Sequence, residues 1–229
     1  MLRISALLDT LLPRACLLCG AHARSALCAG CAADLPRLCG PLCPICAAPL
    51  GAPAPACGAC LKTPPAFDAT FAPLRYVFPV DRLVQSLKFG RRLASADFFA
   101  CCMRAEAAPA GTLVVPVPLS PRRLQERGFN QALELARPLA RALHLPLDAT
   151  GLVRPRETLP QSSLPWRARQ GNVRQAFACT RDLTGAGVIV VDDVMTTGAT
   201  LDAVARTLKD HGAARVVNWV AARAVKSAT

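Results

Sequence analysis

Residues 188–200 read Val-Ile-Val-Val-Asp-Asp-Val-Met-Thr-Thr-Gly-Ala-Thr, in the order strand, acidic pair, small polar loop, helix start. The apolar run Val188–Val191 predicts a short buried strand that delivers Asp192 and Asp193 to the carboxyl edge of a sheet, where open α/β folds place their ligands. Thr196, Thr197, Gly198, Ala199 and Thr200 then open a helix. Backbone N–H groups and three hydroxyls can there surround a phosphate at the positive end of the helix dipole. Gly198 allows the tight turn. A Walker B strand would need a GxxxxGK[ST] loop elsewhere and a dinucleotide fold a GxGxxG turn, and the chain contains neither. A helix cap accounts for one carboxylate, not for two followed by the whole threonine and glycine loop.

Working outward, apolar runs alternate with helical patterns after Pro64 and Pro65. Strands are predicted at Phe71–Phe78, Leu113–Val117, Gly151–Val153, Gly187–Val191 and Arg215–Val220. Helices are predicted at Asp81–Phe89, Leu93–Glu106, Asn130–Leu143 and Ala199–His211, with Gly90 as a stop. This alternation predicts an α/β fold with a parallel sheet flanked by helices. Met1–Ala15 reads as a short amphipathic helix: Asp9 interrupts its apolar run, and no small-residue cleavage site follows.

The N-terminal quarter has a different texture. Nine of the twelve cysteines precede Lys62, and eight of them form CxxC pairs: Cys16 with Cys19, Cys28 with Cys31, Cys43 with Cys46, and Cys57 with Cys60. A segment this rich in Ala, Pro and Gly cannot build a core of its own size, whereas Zn²⁺ held by four thiolates supplies folding free energy. Regular CxxC pairs without a secretion signal favour metal over disulfides. Sequential pairing gives two zinc ribbons, and an interleaved cross-brace would use the same residues. Cys39 and His22 are left over. The chain therefore divides into residues 1–62, a double zinc ribbon, and residues 63–229, an α/β domain.

Of the 27 basic residues only Lys62, Lys88, Lys209 and Lys226 are lysine, and the formal charge is +12. Such a charge suits phosphate contacts with nucleic acid. Biased codon usage, or a pocket for a polyphosphate, would account for the same arginines, so charge alone leaves nucleic-acid binding open. No stretch approaches the roughly 20 uninterrupted apolar residues of a membrane span, and a cytoplasmic location is expected.

The sequence resembles the type I phosphoribosyltransferases and, with its zinc ribbons, the ComF family. The resemblance rests on the CxxC pairs, Leu87-Lys88-Phe89-Gly90-Arg91, Val115-Pro116-Val117-Pro118-Leu119, Arg127-Gly128-Phe129-Asn130-Gln131, Thr158 with Gln161, Arg169 with Asn172, and the phosphate loop. It implies that Asp192 and Asp193 accept hydrogen bonds from the ribose 2′ and 3′ hydroxyls of phosphoribosyl diphosphate (PRPP). Thr196, Thr197, Gly198, Ala199 and Thr200 would hold the 5-phosphate. The diphosphate would need Mg²⁺ and cationic donors, for which Arg122, Arg123 and Arg127, in the loop after the Leu113–Val117 strand, are candidates. The stretch Arg154–Arg174, with Pro155, Pro160 and Pro165, resembles the flexible catalytic loop that closes over the diphosphate. It carries Arg156, Gln161, Arg167 and Arg169, and Asp192, Asp193 and Arg169 are the catalytic candidates. Purine-salvage members have an Asp three residues after the acidic pair, and this chain has Thr196 there. His22, His144 and His211 lie outside the pocket motifs.

Two functions are compatible with this reading. One is a Mg²⁺-dependent transferase that adds a nucleophile at C1 of the sugar. The other is a protein that senses PRPP while its zinc ribbons engage nucleic acid or another protein. The family resemblance implies uptake or utilisation of DNA, with single-stranded DNA and DNA-uptake proteins as partners.

Overall fold

The computed structural model of the chain describes residues 14–23, 25–89, 93–105, 110–155 and 176–225. The N-terminal part contains strands β1 (Arg14–Ala15) and β2 (His22–Ala23), which pair antiparallel, and one-turn helices α1 (Ala29–Ala33) and α2 (Gly58–Lys62). The expected Met1–Ala15 helix lies outside the described residues except at Arg14 and Ala15, which are strand.

The remainder is built on β3 (Ala69–Phe71), β4 (Leu74–Arg75), β5 (Leu113–Pro116), β8 (Gly187–Met195) and β9 (Arg215–Arg223). These form one parallel sheet in the order β3-β9-β8-β5, with β4 also pairing with β9. Helices α3 (Val80–Phe89), α4 (Leu93–Ala105), α5 (Pro121–Arg127), α6 (Gln131–Leu143) and α7 (Ala199–Asp210) connect these strands and cover them.

The structure departs from the pattern of the sequence in three places. The strand expected over Phe71–Phe78 is instead the pair β3 and β4, with Pro73, which cannot donate to a ladder, between them. The Gly151–Val153 strand does not join the parallel sheet. Its residues Leu152–Val153 (β6) pair antiparallel with Ala178–Cys179 (β7). The segment read as a loop carrying Arg122, Arg123 and Arg127 is the helix α5. The Ser120 side chain caps its start by accepting from the Arg123 N–H at 3.4 Å, Pro121 occupies the first turn, and Gly128 closes it at φ 77°.

The sheet is buried on both faces, and its strands alternate between them with a period of two. Val188, Val190, Val216 and Val220 face a core with Leu201, Val204 and Leu208 of α7. Ile189, Val191, Trp219 and Ala221 face a core with Leu83 and Leu87 of α3, Phe99 and Met103 of α4, and Leu135 and Leu139 of α6. Each such fully buried Leu or Val contributes roughly 1.5–3 kcal/mol. The cysteine-rich segment straddles the sheet. Cys16 and Leu27 join the α3, α4 and α6 face, whereas Cys43, Cys46 and Cys60 join the α7 face.

Candidate phosphate cleft and cysteine quartets

At the carboxyl end of β8, Asp192 and Asp193 form the floor of a cleft of about 230 Å³. One wall comes from the loop after β8, with Thr196 and Thr200, and the opposite wall from Val117, Pro118, Leu119, Arg123 and Arg127 after β5. Tyr76, Lys88, Gln131 and Arg154 complete it. Parallel pairing of β5 with β8, Pro116 opposite Val191, brings these two strand ends to the same edge, as expected for a ligand site in an open α/β sheet.

The Thr196–Thr200 segment has the tight turn and helix start its sequence predicts. Gly198, at φ 85°, is the N-cap of α7, and a Cβ there would come within 2.7 Å of the Met195 side chain. The Thr197 hydroxyl accepts from the Ala199 N–H at 3.3 Å, and the Gly198 carbonyl accepts from Asp202 at 2.8 Å. The first-turn N–H groups of a twelve-residue helix thus open onto the cleft edge, where an anion is favoured.

The acidic pair is electrostatically loaded. Asp193 is 3% exposed, and Lys88 Nζ lies 2.6 Å from its Oδ2, in an ion pair whose angle falls outside hydrogen-bond geometry. The Asp193 N–H donates to Asp192 Oδ1 at 2.9 Å. Burial first, and then the neighbouring Asp193 carboxylate, hold the Asp192 carboxyl well above the usual carboxylate range, with Lys88 acting in the opposite direction. Two carboxylates this close together, one of them buried, suit a ligand that brings hydroxyl donors or a divalent ion.

Lys88, which lies in the Leu87–Arg91 motif, carries no local signal of a place in the site. Its neighbour explains the motif: the Arg127 guanidinium stacks 5.4 Å over the Phe89 ring. Arg127 also donates to Gln131 Oε1 at 2.8 Å, and Asn130 ties the start of α6 to β5 by donating to the Val117 carbonyl at 3.0 Å. The Lys88-Phe89 and Arg127–Gln131 motifs are therefore two halves of one cleft wall. Burial lowers the pKa of Arg127, and the Asp193 charge works against that shift.

Of the arginines chosen from sequence, Arg123 and Arg127 line the cleft. Arg122 does not line it and pairs with Glu126 at 2.8 Å, both side chains being exposed. Arg154, at the foot of the expected flexible loop, lines the cleft and stacks 5.3 Å over Phe177. Arg156, Gln161, Arg167 and Arg169 lie outside the described residues. None of the three histidines lines the cleft, and His211 is occupied with the Thr207 carbonyl at 2.8 Å.

The eight CxxC cysteines form two sequential quartets, Cys16, Cys19, Cys28, Cys31 and Cys43, Cys46, Cys57, Cys60, with the sulfurs of each within 4.8 Å of one another. The interleaved pairing is thereby excluded. The Cys19 to Cys28 and Cys46 to Cys57 sulfur distances are 3.7 and 3.6 Å. They match the edge of a tetrahedron with Zn–S bonds of about 2.3 Å, which is about 3.8 Å. Burial opposes ionisation of Cys16, but the N–H groups of Cys19, Cys28 and Leu18 draw its thiol down to about 6. Burial likewise opposes the N–H groups of Cys46, Cys57 and Ile45 at Cys43, which is drawn down to about 7. The thiols of Cys19 and Cys28 push Cys31 up to about 12, and burial with the Cys46 and Cys57 thiols pushes Cys60 up. Four thiols this close ionise together only around a cation, so both quartets fit a structural Zn²⁺. Cys39 and His22 belong to neither quartet.

Residues 7–61 match the double zinc ribbon domain, and residues 130–227 match the phosphoribosyl transferase domain. Over 190 residues the chain is 37% identical to the DNA utilization protein YhgH of Salmonella typhi, spanning 80% of this chain and 84% of that protein. The chain belongs to the ComF family. Competence protein F of Haemophilus influenzae is 32% identical over 213 residues, covering 88% of this chain and 92% of its own. Among solved structures, the glutamine PRPP amidotransferase of B. subtilis aligns with a TM-score of 0.40 at 20% identity, over 55% of this chain and 25% of that one. This ComF protein has the type I phosphoribosyltransferase fold preceded by a double zinc ribbon. No helix among its described residues is long and apolar enough to cross a membrane.

Proposed function

We propose that this ComF protein binds PRPP with Mg²⁺ and transfers its phosphoribosyl group to an acceptor during the uptake or use of DNA in the cytoplasm. The observation that carries this reading is the convergence, in one cleft, of the Asp192–Asp193 pair and the phosphate loop with Lys88, Arg123, Arg127 and Arg154. The loop at the start of α7 takes the 5-phosphate through its N–H groups and threonine hydroxyls. Asp192 and Asp193 accept from the ribose hydroxyls, and Arg123 and Arg127 face the diphosphate. Mg²⁺ is a hard cation that takes oxygen ligands, and the carboxylates of Asp192 and Asp193 fit it. When bound, it neutralises diphosphate charge. The C1–oxygen bond to diphosphate breaks, diphosphate leaves with the bonding pair, and a nucleophile adds at C1. Arg169 is assigned to the loop that excludes water during this step.

Thr196 takes the place of the Asp that purine-salvage members use, and no histidine lines the cleft. This favours an acceptor that arrives already able to attack, and it leaves a second reading in which the cleft holds PRPP without turnover while the ribbons engage DNA or proteins. The relatives named for DNA utilization and competence support the DNA context in either case. Diphosphate release from Mg-PRPP, measured with a panel of bases, nucleotides and oligonucleotides, separates the two. Release with any acceptor establishes the transferase. Tight PRPP binding with no release across the panel favours the sensor, and absence of binding refutes both.

A further inference from the structure

Arg223 is the last residue of β9, and its side chain is buried, at 9% exposure. Its Nε donates to the Cys46 carbonyl at 2.9 Å, and its Nη1 donates to the Met195 carbonyl at 3.1 Å and to the carbonyls of Thr196 and Ala224. Every one of these acceptors is a backbone oxygen, and among the described residues the guanidinium meets no carboxylate. One end of the fork therefore grips a cysteine of the second quartet and the other the last residue of β8 and the first residue of the phosphate loop. Because a trans peptide directs its C=O and N–H oppositely, holding the carbonyls of Met195 and Thr196 toward Arg223 aims the N–H groups of Thr196 and Thr197 away from it. The cleft lies on that side, because Val117 and Pro118, which line it, follow β5, and β5 flanks β8 opposite β9.

We propose that Arg223 is a positioning residue that couples the second cysteine quartet to the phosphate loop. Zinc in Cys43, Cys46, Cys57 and Cys60 and a 5-phosphate at Thr196–Thr200 then strengthen each other's binding. The inference rests on the functional reading above and deepens it. Three further contacts make the link stiff. The Ala66 N–H donates to Asp202 Oδ1 in the first turn of α7 at 2.6 Å, and the Thr70 N–H donates to the Pro44 carbonyl at 3.4 Å. A Cβ on Gly198 would lie 3.7 Å from the Phe67 ring, so that buried ring backs the loop directly. The guanidinium also places a positive charge, met among the described residues by carbonyl dipoles alone, behind the loop that would hold a dianion. The first quartet packs on the opposite face of the sheet, among Leu74, Val80 and Leu83, and serves as an internal control.

The test is an equilibrium competition for zinc between the full-length protein and a chelator, with and without saturating ribose 5-phosphate. Coupling is reciprocal and commonly about fivefold or more. Ribose 5-phosphate is expected to raise the retention of one of the two zinc ions by at least that factor and to leave the other unchanged. Arg223→Gln should abolish the effect and weaken ribose 5-phosphate while sparing inorganic diphosphate. Arg223→Lys, which keeps the charge but not the fork, should retain part of it. A wild-type protein that binds ribose 5-phosphate yet holds both ions equally well with and without it overturns the proposal, and this arm needs no variant. Coupling that survives intact in a folded Arg223→Gln protein overturns it as well. Wild-type protein that binds neither ribose 5-phosphate nor Mg-PRPP refutes the functional reading itself, a result distinct from the other two.

Discussion

Replacing Lys88 with Met tests the electrostatics of the cleft directly. The ammonium lies 2.6 Å from a carboxylate oxygen whose side chain is 4% exposed, while the Lys88 side chain itself is 22% exposed. Unit charges at that separation attract by about 6 kcal/mol at an effective dielectric near 20. Desolvation offsets much of this, and removing one partner of a buried pair typically costs about 3–5 kcal/mol because the other charge is stranded. The partial exposure of Lys88 lets water reach the stranded carboxylate, which reduces the expected loss to about 2–3 kcal/mol. In a chain of this size that corresponds to a Tm lower by about 5–10 °C. The measurement is thermal unfolding at pH 7 of the ligand-free protein, for Lys88→Met, Asp193→Asn and the double variant. The double variant should recover much of what Lys88→Met loses, since no stranded charge remains. An unchanged Tm for Lys88→Met, or a double variant no more stable than Lys88→Met, would refute the argument that this pair is buried and interdependent.

Asp192→Asn should stabilise the ligand-free protein above neutral pH. The Asp192 carboxyl is raised in the fold, so its native state binds more protons than its unfolded state, and wild-type stability falls as pH rises through the window between the two pKa values. The variant's advantage should therefore shrink on acidification and vanish below the ordinary carboxylate value of about 3.9, and unfolding curves with no advantage at pH 8 would count against it. The same variant combined with Asp193→Asn should weaken Mg-PRPP binding while the circular dichroism spectrum stays native, and unchanged affinity in calorimetry would remove the acidic pair from the site. Metal analysis should find two zinc ions per chain, and Cys43→Ser should lose one of them and lower the Tm of the whole protein, because its quartet is part of the sheet core. Single-stranded DNA should bind weakly and with little sequence preference, with log affinity falling linearly in log salt by roughly 0.7 per contacted phosphate; no complex at low salt would eliminate the nucleic-acid partner.

Short-range grammar was legible in the sequence, and long-range geometry was not. Val188–Thr200 announces its strand, its carboxylates and its helix start because each is a matter of neighbours along the chain, and the structure has all three. The eight cysteines were legible for the same reason, whereas their partition into two sequential quartets needed coordinates. Helix α5 is hidden in the sequence because seven residues with little apolar periodicity give a weak pattern, even though Ser120 and Pro121 carry the start signal. Lys88 reaches Asp193 only through the packing of α3 against the sheet, and nothing local to it foretells that meeting. Arg223 is harder still: a basic residue ending an apolar strand ordinarily points to water, and here two segments remote from it in sequence, at Cys46 and at Met195–Thr196, supply carbonyls to it. The composition changes at residue 62, but the packing crosses that line.

The order of strands in the sheet bears on how the protein is made. The two strands at its centre, β8 and β9, are the last to be synthesised, and β3, near the beginning, finds its partner only in β9, with Ala69 opposite Val217. A ribosome therefore releases both cysteine quartets and most of the helices before any surface exists to receive them. Such a topology has high contact order, which slows folding and prolongs the exposure of apolar faces. Metal capture by the emerging CxxC pairs needs no residue beyond Cys60. It would keep the nascent segment from Cys16 to Cys60 compact until the carboxyl-terminal strands arrive to clamp between the ribbons. Chains that stop short of Val188 should consequently load zinc and still aggregate.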